Sequence, residues 1–301
     1  MTMPIFSVVI PAYNRAHVIT RAVQSVLNQT FSDFELIIVD DGSTDATKKV
    51  VETFKDPRIR YIYQTNKGRS AARNAGAALA LGKYIAFLDS DDEVVPKWIE
   101  CFAGALSDLK TGVVCCGATF SIEREGLREN QFVRLPRNLG PVYENQKGFF
   151  IAGTFALHKE LFKAVGAYNE KMSYSENTDL AIRLVSYCVS NKYKIATIDK
   201  PLMSFHTTRP IGGKKQNEER LRNAKYMLQF HGDRYKQRSP RGYANYCAIA
   251  GVHAARIGKQ NEARQFFVAA LRAYPLGWRH YFRLLLSMTP FLGLKFWSRF
   301  E

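Results

Sequence analysis

Four strand-like runs, "FSVVIPA" at 6–12, "ELIIVDD" at 35–41, "IRYIYQ" at 59–64 and "KYIAFLDSDD" at 83–92, alternate with helix-forming stretches. A continuous apolar run bounded by turn signals is a strand covered on both faces. Between the runs, Val18 to Leu27 has a helical pattern, and "GSTDATKKVVETF" offers Ser43, Thr44 and Asp45 as caps for a second helix. "GRSAARNAGAALALG" reads as an Ala-rich helix closed by Gly82. This alternation predicts an α/β fold, a mostly parallel sheet with helices on both faces. Such sheets bind ligands at the carboxyl ends of their strands. Tyr13, Asn14, Asp40, Asp41, Asn66, Lys67 and the acids after Leu88 all fall there.

The pattern changes further along. From Val113 to about His206 it is mixed, with short strands, a long loop around 123–147 and helices at 158–164 and 176–190. From Lys214 onward it is almost all helix. "YANYCAIAGVHAARIGKQNEARQFFVAALRAYP" reads as one helix–turn–helix unit with Gly258 in the turn, too little for a repeat array. The expected organisation is an α/β domain over 1–210 and a helical region over 211–301. Charge divides the same way: residues 1–206 carry 25 Lys and Arg against 22 Asp and Glu, and residues 207–301 carry 18 against 5. A tail of net +13 on a nearly neutral body suits an anionic partner, a lipid surface or nucleic acid, unless it is only solvated surface. No recognised nucleic-acid motif supports the latter partner.

Several classes are set aside. The five cysteines, Cys101, Cys115, Cys116, Cys188 and Cys247, are odd in number and lack CxxC spacing. They read as buried thiols of a reducing cytoplasm rather than as disulfides or a zinc site. The sequence shows no basic n-region with an apolar stretch of signal type, and no run of about 18 apolar residues. A cytoplasmic protein, or one peripheral on the inner face of the plasma membrane, is the expectation.

The acids after Leu88 pose a chemical question. Asp89, Asp91, Asp92 and Glu93 occupy four of five positions and repel one another. Two carboxylates one residue apart at a strand end suit a hard divalent cation, Mn²⁺ or Mg²⁺, completed by waters and substrate phosphate oxygens. Such a cation neutralises charge developing on a phosphate leaving group. Solvated surface is the alternative reading.

"SVVIPAYNR", "LNQTFSDFELIIVDDGSTD", "NKGRSAARNAGAALALGKYIAFLDSDD" and "GAYNEKMSYSENTDLAIRL" together resemble family 2 glycosyltransferases of the GT-A (Rossmann-like) fold, over roughly residues 4–206. The resemblance implies a nucleotide-sugar donor, usually a UDP-sugar, and inverting transfer to an acceptor hydroxyl. By position, Pro11, Ala12 and Tyr13 would pack around uracil and ribose, with Asn14 beside them. Asp41 would accept the uracil N3–H; a helix cap beside Ser43 is its alternative. Lys67 and Arg73 match positions near the nucleotide. Asp89 would touch ribose or sugar and share the metal, Ser90 would lie between, and Asp91 would be the main metal ligand.

The base departs from the family pattern. An Asp usually follows the Glu at this helix start, and here Asn177 stands in its place; an amide cannot take a proton at neutral pH. Glu176 is the expected base and Asp179 the second candidate. Alternatively both merely favour the helix N-terminus, Asp179 pairs with Arg183, and activity is lost. His158, and His206 or Arg209 in "FHTTRP", are weaker candidates, the last two for the diphosphate. No QxxRW follows, which for the family implies single addition rather than processive synthesis. Acceptors would be a glycan or a lipid-linked glycan, in envelope or extracellular glycan synthesis. Competing readings are a sugar nucleotidyltransferase, disfavoured because "IPAYNRAHVI" lacks a Gly-rich phosphate loop, and an impaired relative serving as a basic binding module. Finally, "WRHYFRLLLSMTPFLGLKFWSRF" interleaves aromatic, apolar and basic residues around Pro290. It is expected to lie on an anionic membrane, with packing on preceding helices or a homodimer contact as the alternatives.

Overall fold

The apolar runs form the strands they imply. The computed structural model describes residues 3–124, 127–207 and 214–288. It divides into two compact units, Met1–Met172 with Glu176–Arg209, and Ser173–Ser175 with Pro210–Glu301. In the first, β1 (Phe6–Ala12), β2 (Phe34–Asp41), β3 (Ile59–Gln64) and β4 (Tyr84–Phe87) lie parallel in the order β3-β2-β1-β4. Register brings the strand ends level: Ala12 pairs with Asp40, and Val9 with Phe87 just before the acids.

Beyond β4 the sheet is mixed. It contains β5 (Glu93–Val94), β6 (Thr111–Arg124), β7 (Leu127–Arg134), β10 (Phe155–His158) and β11 (Lys194–Thr207), while β8 (Arg137–Asn138) and β9 (Lys147–Gly148) form a separate pair. β6 and β11 run parallel; β10, β5 and β7 are antiparallel to their neighbours. The α/β sheet is as expected, with its parallel part confined to the first four strands and the β6–β11 pair.

One expectation fails here. The loop placed around 123–147 contains β7, which pairs along β6 from Ala118↔Arg134 to Arg124↔Leu127. Its sequence "LRENQFVR" is mostly polar, so no buried-strand signal marks it. Phe132 stacks on Phe120 at 5.1 Å, and the Arg134 guanidinium lies 4.9 Å from the Phe120 ring.

Helices cover both faces. On one side Val8, Ile10, Leu36 and Ile38 meet α1 (Ile19–Leu27) and α4 (Trp98–Leu106) through Val23, Val26, Trp98 and Phe102. Nearby, Asp45 alone of the three expected caps serves the short α2 (Thr47–Val51), accepting the Thr47 N–H at 2.9 Å. On the other side Val9, Ile37, Val39 and Phe87 meet α3 (Arg69–Leu79), α5 (Lys159–Ala164) and α6 (Glu176–Ser190). Consecutive strand residues thus enter opposite layers, as a pleated sheet buried on both faces requires. Gly76 lets α3 seat on β1, since a Cβ there would run into Val9. The five cysteines are free thiols; burial pushes Cys115 and Cys188 up to about 12.

The second unit contains α7 (Lys214–Arg238), α8 (Pro240–Arg256), α9 (Gln260–Ala273) and α10 (Trp278–Met288). Leu221, Ala250, Ala254 and Phe267 form its core, with Leu284 and Leu286 of α10 against it. Gly258 turns the chain between α8 and α9 at φ 83°. Trp278, Tyr281, Phe282 and Leu285 stay exposed. The apolar surface expected of α10 is therefore split, two leucines inward and four large residues outward. Arg209, and the segment with Pro290, Phe291, Leu292, Leu294, Lys295, Phe296, Trp297 and Arg299, lie outside the described residues. Among the described residues no helix is long and apolar enough to cross a membrane.

Candidate active site

The carboxyl ends of β1, β2 and β4 carry the residues expected to bind a ligand. Pro11 and Ala12 close β1 and are buried, while Tyr13 is half-exposed. Asn14 holds a left-handed backbone at φ 53°, a conformation that asparagine tolerates better than most residues. Its N–H donates to Ser43 Oγ at 2.9 Å and its Oδ1 accepts from the Thr44 N–H at 2.8 Å. The Arg15 and Ala16 N–H groups donate to Thr47 Oγ1 and Asp45 Oδ2. Asn14 thus ties the two loops together and so positions Tyr13.

Asp40 and Asp41 divide the work at the end of β2. Asp40 Oδ1 accepts from the Ser43 N–H at 2.7 Å, and its Oδ2 accepts from the Tyr61 hydroxyl. The turn beside Ser43 therefore belongs to Asp40. Asp41 Oδ1 accepts from the Gln64 amide at 2.7 Å and the Lys67 N–H at 2.9 Å, and its Oδ2 from the Gly68 N–H at 2.7 Å. Lys67 meets Asp41 through its backbone, and its side chain is exposed. A carboxylate has about four acceptor positions. Three are occupied, leaving room for one further donor.

Arg73 is the centre of the charge arrangement. Fully buried on α3, it donates to Asp89 Oδ1 at 2.5 Å and to Glu176 Oε1 at 3.3 Å, and its guanidinium lies 5.1 Å from the Tyr168 ring. Burial opposes its charge, but Asp89, Tyr168 and Glu176 outweigh this and hold its pKa above the ordinary value. Burial likewise opposes ionisation of Asp89, and Arg73, with Arg69 and Arg15 beyond it, pulls that carboxyl below the usual range.

The next acids are in a different state. Ser90 is buried. Among the described residues no side chain donates to the Asp91 carboxylate, and burial with the Asp89 charge pushes its pKa up against the weaker pull of Arg15 and Arg21. Arg21 reaches only the Asp91 backbone carbonyl, at 2.5 Å. Asp92 accepts the His206 N–H on Oδ1 at 2.9 Å, while its buried Oδ2 has no partner. Burial, reinforced by Asp89 and Asp91, raises Asp92 to about 9, so it holds a proton at neutral pH. The His206 ring meets Glu93 Oε1 at 3.0 Å.

Asp91 is thus the acid whose charge is offset only at a distance, by Arg15 and Arg21, with no ion pair of its own among the described residues. Its hard oxygens fit a divalent cation, with Asp89 beside it already committed to Arg73. Among the described residues no group of three His, Cys, Asp or Glu side chains converges to hold a metal on its own. Such a cation would take its remaining ligands from a bound phosphate or water.

α6 brings the base candidates. Glu176 faces Arg73. Asn177 Oδ1 accepts from the Tyr168 hydroxyl at 3.0 Å. Asp179 Oδ2 accepts from Arg183 Nε at 3.1 Å and Nη2 at 2.5 Å, the pairing offered as its structural alternative. His206 joins the acids, whereas His158 stands at the opposite end of the sheet, paired with Tyr84 and capping α5. Sequence reasoning missed Arg15, Arg69, Tyr168 and a role for Asp92. An Arg three residues after a strand or at a helix start is the signal that marks the first two.

The family model "Glycosyl transferase family 2" matches residues 7–166. Chondroitin synthase of Escherichia coli is 34% identical over 190 residues, covering 60% of this chain and 26% of its own length. Glycosyltransferase GlyG of Streptococcus pneumoniae is 31% identical over 194 residues, covering 58% of this chain and 63% of its own. The chain therefore spans less than two thirds of either relative. Among solved structures, S. aureus TarS 1–349 in complex with UDP-GlcNAc superposes with a TM-score of 0.58 at 18% identity, over 89% of this chain and 82% of that one. Mannosyltransferase PcManGT from Pyrobaculum calidifontis, in complex with GDP-Man and Mn²⁺, gives 0.53 at 17% identity, over 99% and 85%. At those identities the likeness shows a shared fold.

Proposed function

Because the chain belongs to glycosyl transferase family 2, we propose that it moves one sugar, with inversion, from a UDP-sugar to a hydroxyl of a glycan or lipid-linked acceptor. One observation carries this reading: among the described residues the Asp91 carboxylate has no ion-pair partner, and it lies beside Asp89 at the same strand ends as Asp41 and Tyr13. Uracil presents one imide N–H on its recognition edge, which matches the one acceptor position left on Asp41; guanine presents two donors there. Tyr13 gives the base an aromatic face. Arg15 and Arg69, whose charges already reach Asp89, draw the diphosphate in. Asp91, with Asp89, would hold Mn²⁺ or Mg²⁺, which offsets the charge that develops on the departing diphosphate. Glu176 takes the proton from the acceptor hydroxyl as it attacks the anomeric carbon.

The test is hydrolysis and transfer of UDP-sugars with Mn²⁺, with EDTA, and in Asp91→Asn. Metal-stimulated turnover that this variant loses, with its melting temperature kept, is the expected result. Equal turnover in variant and wild type overturns the metal assignment. Binding of UDP-sugar with no turnover under any condition favours the impaired relative.

The exposed Trp278, Tyr281, Phe282 and Leu285 of α10, in a region of net +13, support attachment to an anionic membrane face. Full-length chain should float with phosphatidylglycerol vesicles at low salt, and a chain ending at Pro275 should not. Equal flotation refutes the attachment.

A further inference from the structure

The second unit contains two adjoining clefts that the transfer reaction leaves without a role. One, of about 480 Å³, is lined by Arg220, Arg256 and Arg283 with His253 and Asn245. The other, of about 410 Å³, is lined by Arg241, Arg279 and the same Arg283, with Asn245, Tyr274 and Trp278. Arg283 and Asn245 belong to both, and among the described residues no carboxylate lines either.

Arginines brought together without acids repel one another, and the neighbouring groups register that repulsion. Burial and then Arg220 and Arg256 depress His253 to about 4, so the imidazole is neutral and hydrogen-bonded through Nδ1 to Asn217 at 2.8 Å. Burial and then Arg279 lower Arg283. Arg220 is held in place by its guanidinium 5.0 Å from the Tyr174 ring, and its buried Nε has no hydrogen-bond partner. Elsewhere in this unit Lys225 is paired with Glu262 and Lys236 with Asp233. Among the described residues no acid pairs with Arg220, Arg279 or Arg283.

We propose that these clefts form a phosphate-binding site, taking a diphosphate or phosphate ester through the forked guanidiniums of Arg220, Arg283 and Arg279. Arginine forks match two phosphate oxygens at once. Asn245 lies at the join of the clefts and supplies an amide donor. The exposed Trp278 ring at the rim, with Arg279 stacked 5.5 Å from it, offers a face to whatever group carries the phosphate. The site is independent of the UDP-sugar reading, since every lining residue lies within the helical unit. The phosphate belongs either to a soluble ester or to an anionic lipid headgroup.

Calorimetric titration of the full chain with inorganic pyrophosphate, in EDTA and low salt, tests the proposal. Saturable binding is expected, weakened at least tenfold in Arg220→Gln/Arg283→Gln and unchanged in Asp91→Asn. On the wild-type chain, where no variant has to fold, pyrophosphate should shift the imidazole proton resonance of His253. Flotation on phosphatidylglycerol and on phosphatidylcholine vesicles separates the two sources. If pyrophosphate is not bound but the double variant loses flotation on the anionic vesicles alone, the ligand is a lipid headgroup and the site stands. Pyrophosphate and vesicle binding both indifferent to the double variant, or a His253 resonance that no phosphate probe moves, overturns it.

Discussion

Arg73→Met tests the architecture of the site most directly. The substitution keeps the length of the side chain and removes the charge that Asp89 and Glu176 share, at 2.5 and 3.3 Å. Removing one member of a buried ion pair costs about 3–5 kcal/mol, because its partner is left charged and unsolvated. The two ends differ here: the Glu176 side chain is 6% exposed and that of Asp89 25%. Water, Arg69 and Arg15 screen Asp89, so the lower figure, about 3 kcal/mol, is the expectation. For a unit of about 200 residues that corresponds to a fall in melting temperature of about 6–12 °C. Fluorescence of Trp98 reports the first unit, since this indole is buried and donates to the Gly153 carbonyl at 2.8 Å. Arg73→Lys keeps the charge without the fork and should lose about half as much. Neutralising the stranded partner as well, in Arg73→Met/Glu176→Gln, should recover part of the loss. A melting temperature within about 1 °C of wild type for Arg73→Met, or a double variant that loses the full sum of both changes, would refute the argument.

Three further outcomes are expected. Asp41→Ala should weaken UDP binding by about 1–3 kcal/mol in calorimetry, and should lower the melting temperature too, because the Lys67 and Gly68 N–H groups lose their acceptor. Glu176→Gln should cut transfer by about 10²-fold or more with UDP affinity kept; damage from Asp179→Asn instead moves the base by three residues. Glu35 is opposed by burial, but Ser7, the Leu81 N–H and Arg60 overcome this and hold its carboxyl below 4.5. A lowered carboxyl stabilises the fold above its unfolded pKa, and that contribution disappears as pH falls through the folded value. The stability gap between wild type and Glu35→Gln in urea melts should therefore be open at pH 7 and narrow as the pH falls below the ordinary carboxylate range, and a gap that stays the same from neutral to acid pH refutes this.

The parts of the fold legible in the sequence are those whose signal is local. β1, β2 and β4 are buried on both faces, so their apolar runs announce them without any knowledge of neighbours. β7 was illegible because it pairs with β6 along one edge and keeps polar side chains; only Phe132 marks it, through a stack with Phe120. Caps were misjudged for a related reason. Ser43 and Thr44 are good caps by type, but in the fold Ser43 Oγ and the Thr44 N–H bond to Asn14, 29 and 30 residues away. A propensity argument cannot see competition from a loop that arrives from another strand.

The site was legible as a place and less so as a circuit. Sequence spacing asks what positive charge the acids after Leu88 require, and the fold gives two answers. Asp89 is met by Arg73, sixteen residues back and invisible as a partner because the pairing crosses from α3 to the end of β4. Asp91 has no such partner among the described residues, and under the proposed reaction it is the main ligand of the cation, with Asp89 beside it. The same circuit bears on the missing base. A general base needs an open lone pair aimed at the substrate, and Asn177 offers an amide already engaged by Tyr168. Asp179 spends Oδ2 on both arms of the Arg183 fork. Glu176 gives Oε1 to Arg73 at 3.3 Å, a long contact, and among the described residues no donor reaches its Oε2. Under the proposed reaction Glu176 is therefore the carboxylate still able to take a proton, and Arg73 is the residue that holds it beside Asp89.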